Sequence, residues 1–123
     1  VNDIPSEDDE QVLFVTWLDK RNLLYCAVPN QGRRDFVYAC KLKRMGVKAG
    51  IQDVLIFEPR GQYHGCAVEL KRKKGGVVSE HQSYWQEALT KKGWLAVICK
   101  GADEAIAIME KYLNDQSNIN NSG

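Results

Sequence analysis

No apolar run in this 123-residue chain approaches the roughly 18–20 residues needed to cross a bilayer. The first ten residues are acidic and lack the apolar stretch of a secretory leader. Both absences lead to the expectation of a soluble, intracellular domain with no membrane partner. Paired cysteines are missing as well. Cys26, Cys40, Cys66 and Cys99 form no C-x-x-C motif, and neither His64 nor His81 stands at a zinc-type spacing from one. Cys26, Cys66 and Cys99 lie in apolar runs, where a reduced thiol behaves as a small buried hydrophobe, so all four are expected as reduced core thiols. There is no internal repeat. What is present, 44% hydrophobic and 27% charged residues, is too apolar for a disordered chain. It is enough for one real core and too short for two ordinary domains.

The chain also lacks net charge, standing at +1 with 17 bases against 16 acids. That balance conceals an uneven distribution. Asp3, Glu7, Asp8, Asp9 and Glu10 crowd into the first ten residues, which contain no base, so the other 113 residues hold 17 bases against 11 acids. Arg33, Arg34, Lys41, Lys43, Arg44 and Lys48 face only Asp35 across residues 33–48, and residues 71–74 are an unbroken basic run. Local fields, not the total, steer a charged ligand. Solvated helix and loop faces are the competing explanation for such clusters.

Periodicity and turn residues predict eight elements. Glu7 to Lys20 reads as a helix with Ser6 as N-cap and acids in its first turn; Val12, Val15 and Leu18 are expected on its inner face. Leu23 to Val28 is β-prone, and Arg34 to Met45 is helix-like, ending at Gly46. Asp53 to Glu58 and Cys66 to Lys71 read as the strands of a hairpin around the turn at residues 59–62. Ser79 caps a helix running to about Lys92 and closed by Gly93. Trp94 to Cys99 reads as a strand buried on both faces, and Ala102 to Leu113 as a last helix. Trp17, Trp85 and Trp94 have apolar neighbours and are expected in the core. The order α-β-α-β-β-α-β-α predicts an α/β fold with a mixed sheet between helices, one domain over 1–113, and a polar, disordered tail over 114–123.

Two charges interrupt an otherwise apolar strand. Glu69 and Lys71, at i and i+2, project on one face, and such charges are costly to bury unless paired or ligating a metal. Asp53 opens the neighbouring hairpin strand and comes close to both if the hairpin pairs in register. Two carboxylates at one point suit a hard cation such as Mg²⁺, and an adjacent ammonium can stabilise developing phosphoryl charge. A strand-end salt bridge with Asp53 as a cap is the alternative reading of the same short pattern.

The wider context carries more information. Gly46 to Asp53, then Gly65 to Lys71, then Ser79-Glu-His-Gln82 with Trp85 and Gly93, together with Gly101 to Ala105, resemble the VRR-NUC (virus-type replication-repair nuclease) family of the PD-(D/E)xK superfamily. The resemblance runs over roughly residues 7 to 113. One position departs: Gln52 stands where the superfamily motif usually has proline, which supplies stiffness and not chemistry.

The resemblance implies a restriction-endonuclease-like fold and a Mg²⁺- or Mn²⁺-dependent DNA endonuclease. Asp53 and Glu69 would ligate the cation, with the Leu70 carbonyl as a further ligand. Lys71 would position the attacking water, and Gln82 would contact Lys71, a water or a phosphate. Glu7, paired with Gln11 in what looks like the family's E-x-x-x-Q opening, would complete the catalytic and metal set, with Glu10 as the second choice. Arg33, Arg34, Lys41, Arg44, Lys48, Arg72, Lys73 and Lys74 are the candidate DNA contacts, suited to phosphates and carrying no base-reading code. Stand-alone members look like bacterial or phage enzymes acting in the cytoplasm on branched DNA, four-way junctions in particular. Two symmetric cuts would call for a homodimer, with the exposed apolar part of the first or third helix as its surface. A flap- or duplex-cutting nuclease, a non-catalytic DNA-binding module and a partner-binding protein remain as alternatives.

Overall fold

The structure, a computed structural model, describes residues 3–29 and 35–115. It contains α1 (Glu7–Lys20), β1 (Tyr25–Ala27), α2 (Phe36–Arg44), β2 (Val54–Ile56), β3 (Cys66–Lys71), α3 (Glu80–Lys91), β4 (Leu95–Lys100) and α4 (Ala102–Leu113). The predicted order holds throughout. β1 and β2 are shorter than their apolar runs, three residues each. Among the described residues, no helix is long and apolar enough to cross a membrane.

Local chemistry sets the helix ends. The Ser6 hydroxyl accepts from the Asp9 N–H while Asp9 accepts from the Ser6 N–H, a reciprocal cap. Ser79 and Gln82 repeat the device at α3. Asp35 caps α2 through the Tyr38 N–H, and Gly46, with φ 94°, follows its end.

The sheet runs β1-β2-β3-β4, with β1, β2 and β3 antiparallel in turn and β4 parallel to β3. β3 is therefore central, and every one of its residues is buried. On one face Cys66, Val68 and Leu70 join Val54, Ile56 and Cys99 against Phe14 and Leu18 of α1 and Ala105, Met109 and Tyr112 of α4. Alternation places Ala67, Glu69 and Lys71 on the other. α3, the crossover between the parallel strands, packs on β4, where the Gln86 amide donates to the Ala96 carbonyl at 3.2 Å. β4 itself is an edge strand and only half-buried, not buried on both faces, because no fifth strand follows it among the described residues.

Other expectations are corrected by packing. The inner stripe of α1 is Glu10, Phe14 and Leu18, while Val12 is 61% exposed. The stripe begins with an acid, which apolar periodicity could not reveal. Cys66 and Cys99 are core thiols, both pushed up to about 12 chiefly by burial. Cys26 is exposed and Cys40 half-buried, because β1 is an edge strand and α2 buries none of its side chains. The three tryptophans are half-buried, not enclosed. Of the expected tail, Asn114 and Asp115 are described and residues 116–123 lie outside the described residues.

Glu10 is the buried acid of this core. Its Oε1 accepts from the Ala102 N–H at 2.9 Å, supplying the N-terminus of α4 with the cap that Gly101 does not provide. Glu10→Ala is expected to lower stability by about 2–3 kcal/mol, with Glu10→Gln losing distinctly less because it keeps the acceptor. Urea unfolding of the two variants measures this, and equal losses would show that the cap contributes little.

Candidate active site

Register brings the strand charges together. β2 and β3 pair Val54 with Val68, and continuing that register one residue beyond the ladder sets Asp53 opposite Glu69. Asp53 Oδ2 accepts from the Leu70 N–H at 2.8 Å, which holds the carboxylate at the strand end. Glu69 is 3% exposed; its Oε2 accepts from Gln82 Nε2 at 2.6 Å and lies 3.7 Å from Lys71 Nζ. Lys71 is nearly buried too, its stem under Gly76, where an added Cβ would come within 2.9 Å of the lysine Cβ.

Gln82 is committed at both ends of its amide. Its Oε1 accepts from the Ser79 N–H in the α3 cap while its Nε2 holds Glu69. The S-x-x-Q spacing thus anchors a helix start and a strand carboxylate with one side chain. The sequence shows the capping signature; the tie to Glu69 depends on α3 crossing this face of the sheet.

Asp53, Glu69 and Gln82 open into a cleft of about 230 Å³ that Glu7, Gln11, Ala49, Gly50 and His81 also line. Glu7 is on the cleft, whereas Glu10 is turned into the core beside Ala102. Lys41, Arg44 and Lys48 are exposed on α2 and the loop that leads to Ala49 and Gly50. Arg72, Lys73 and Lys74 are exposed directly after Lys71, with Lys73 paired to Asp103 at 3.7 Å. Arg33 and Arg34 lie outside the described residues. His64 is at the opposite end of β3, packed on Gly93 and away from the cleft.

Sequence reasoning assigned nothing to His81 or to Gly50 individually. Gly50 has φ 91°, and a Cβ there would lie 2.4 Å from His81 Cβ, so a glycine lets the loop before β2 meet the first turn of α3. The glycine-rich stretch before Asp53 was the available signal. Gln52, at the proline position, is 1% exposed, and among the described residues neither of its side-chain polar atoms has a hydrogen-bond partner.

Burial, and then the negative charge of Asp53, pushes the Glu69 carboxyl up to about 8, with Lys71 opposing the shift and Glu7 adding to it. Burial also raises Asp53, against the lowering effect of the Leu70 N–H. Between about 4.5 and 8, native Glu69 keeps a proton that the unfolded chain has lost, so stability falls as pH rises across that window. In chelator, unfolding free energy is expected to drop by about 2 kcal/mol from the acid to the alkaline end of this range. Glu69→Gln should flatten the profile, and a flat wild-type profile would contradict the shift.

Among the described residues, no three His, Cys, Asp or Glu side chains form a ready-made metal cluster. Gln82 and the Leu70 N–H hold the two strand carboxylates instead. The donor chemistry nevertheless fits a hard cation, with oxygen ligands only and two buried, mutually repelling carboxyls that a positive ion would relieve.

Comparison with known proteins accords with this arrangement. The family model of the VRR-NUC domain matches residues 5–103. This chain belongs to the VRR-NUC family. A solved structure, of a VRR-NUC domain protein, is 31% identical, with a TM-score of 0.80 over 94% of this chain and 93% of the other. No curated protein matches the chain. The mixed four-stranded sheet with its four helices is the restriction-endonuclease-like fold, and the VRR-NUC domain is a nuclease domain of the PD-(D/E)xK type.

Proposed function

We propose that this VRR-NUC domain is a Mg²⁺- or Mn²⁺-dependent endonuclease that hydrolyses phosphodiester bonds in branched DNA, four-way junctions in particular. The observation that carries the hydrolytic reading is that Asp53 and Glu69 line one acidic cleft while the Lys71 ammonium stands 3.7 Å from the Glu69 carboxylate. Asp53 and Glu69, with the Leu70 carbonyl and Glu7, would hold the cation, which supplies Lewis acidity at the phosphate and lowers the pKa of water. Gln82 keeps Glu69 in place. The Lys71 ammonium orients the attacking water and offsets charge that builds on the phosphoryl oxygens. Water attacks phosphorus in line, the bond to the 3′ oxygen breaks, and the products carry a 5′-phosphate and a 3′-hydroxyl.

Phosphate contacts are assigned to Lys41, Arg44 and Lys48 on one flank and to Arg72, Lys73 and Lys74 on the other, with Arg33 and Arg34 as further candidates by sequence. Such contacts read backbone shape and not base sequence. Paired cuts across a symmetric junction call for two sites and hence a homodimer. Exposed Val12 and Leu13 on α1, together with Phe36 and Val37 on α2, offer apolar surface for it.

The test compares a four-way junction, a flap and a linear duplex with Mg²⁺, Mn²⁺ or chelator. Cutting of the junction at least about tenfold faster than the duplex, and only with metal, is the expected result. Equal cutting of the duplex would remove the junction preference and retain the nuclease. No metal-stimulated cutting of any DNA would sink the proposal.

A further inference from the structure

Beside the catalytic cleft lies a second, larger recess that phosphate hydrolysis does not use. It measures about 670 Å³ and runs between α2 and α3. Its walls include Leu42, Val47, Tyr84 and Trp85, and the exposed Lys43 and Lys48 also line it. Ala49 and His81 line both this groove and the catalytic cleft, so the two adjoin. The Tyr84 and Trp85 rings stand edge to face, with centroids 6.1 Å apart and planes at 88°. Tyr84 is 66% exposed, and Trp85, expected in the core, is half-buried with part of its surface turned to the groove.

We infer that this groove holds an unpaired nucleobase of the DNA strand whose phosphate lies in the adjoining cleft. The inference rests on the nuclease reading and adds to it the feature of the substrate that the domain selects. Three observations favour a base over other occupants. An aromatic, largely apolar recess of this size suits a flat heterocycle, since any base can stack on an aromatic face without a sequence code. Lys43 and Lys48 complement the phosphates that flank a base entering from the cleft. Adjacency across Ala49 and His81 puts the groove within reach of the same strand. A fully paired duplex keeps its bases stacked internally and offers none. A junction whose pairs open at the crossover, a flap or a strand end does, so the groove would convert exposure of an unpaired base into affinity next to the scissile bond.

The test measures binding in chelator, where no cutting occurs. A labelled hairpin duplex with a short thymine extension is compared with the same duplex whose extension carries abasic sugars, so that charge is identical and only bases differ. Wild type is expected to bind the thymine form about tenfold tighter. Tyr84→Ala, at an exposed position where folding is not at stake, should cut that preference to about twofold, and Trp85→Leu should do the same. Equal wild-type affinity for the two forms would overturn the inference. So would a full preference in both variants, or a preference that changes only because the variants alter the oligomeric state. Failure of the nuclease reading shows separately, as absence of metal-dependent cutting of the same DNA by wild type.

Discussion

Lys71→Ala is expected to lower the rate of the proposed metal-dependent DNA cleavage by about a thousandfold while leaving DNA affinity within about threefold of wild type. The size of the kinetic loss follows from where the ammonium sits. Its Nζ is 3.7 Å from Glu69 Oε2, its side chain is nearly buried, and low local polarity strengthens its effect on charge that develops only in the transition state. Affinity should be insulated because Lys48, Arg72 and Lys74, proposed to contact phosphates, are solvent-exposed, whereas Lys71 is not. A second consequence is electrostatic. Lys71 lowers the Glu69 carboxyl, so its removal leaves that group holding its proton more tightly and shifts the pH–rate profile towards alkali. Lys71→Arg should not rescue, since the site is nearly buried and a broad, planar guanidinium does not reproduce the compact point charge of the ammonium. Wild-type cutting by Lys71→Ala would retire the mechanism outright.

Gly50→Ala is expected to lower stability by about 3 kcal/mol and to remove most of the activity. Two effects add. The residue has φ 91°, a conformation that costs an L side chain roughly 1–2 kcal/mol. The new Cβ would also meet His81 at 2.4 Å from its Cβ and 2.5 Å from its carbonyl carbon, and the backbone of a capped helix cannot rotate aside as a flexible side chain would. The first turn of α3 must shift, and Gln82 shifts with it, away from the carboxylate it holds at 2.6 Å. Gly46→Ala separates the two effects. Its φ is 94°, yet no atom lies within 4 Å of the added carbon, so it should cost only the conformational part, about 1 kcal/mol, and leave cutting intact. Urea unfolding and single-turnover cleavage of both variants check this. Equal effects at the two glycines would show that the contact with α3 does not matter.

Much of this molecule was legible residue by residue, because local chemistry decides local structure. Ser6 and Ser79 mark the starts of α1 and α3, Gly93 follows the end of α3, and the strand Cys66–Lys71 has the predicted bounds. The pair of charges inside an apolar strand, with an acid ahead of the neighbouring strand, singled out Asp53, Glu69 and Lys71, since hairpin register follows from alternation, and the family resemblance turned that short pattern into a candidate site.

Tertiary structure alone decided the rest. Glu7 and Glu10 are both acids of one helical turn favoured by the same dipole, and only the packing of α1 on the sheet sends the first to the cleft and the second beneath α4. Val12 is turned outward and Glu10 inward for the same reason, because the inner face of a helix is set by what it lies against and periodicity that begins on a charge is invisible to an apolar count. Trp94–Cys99 reads as fully buried, but strand position in a sheet is a non-local fact, and β4 falls at the edge. The groove between α2 and α3 is likewise a product of assembly, its residues coming from segments some forty positions apart that only the fold makes neighbours. The missing net charge that masks a basic surface could be unpicked from the sequence; which acids serve the site and which serve the core could not, because that depends on burial, and burial belongs to the assembled chain.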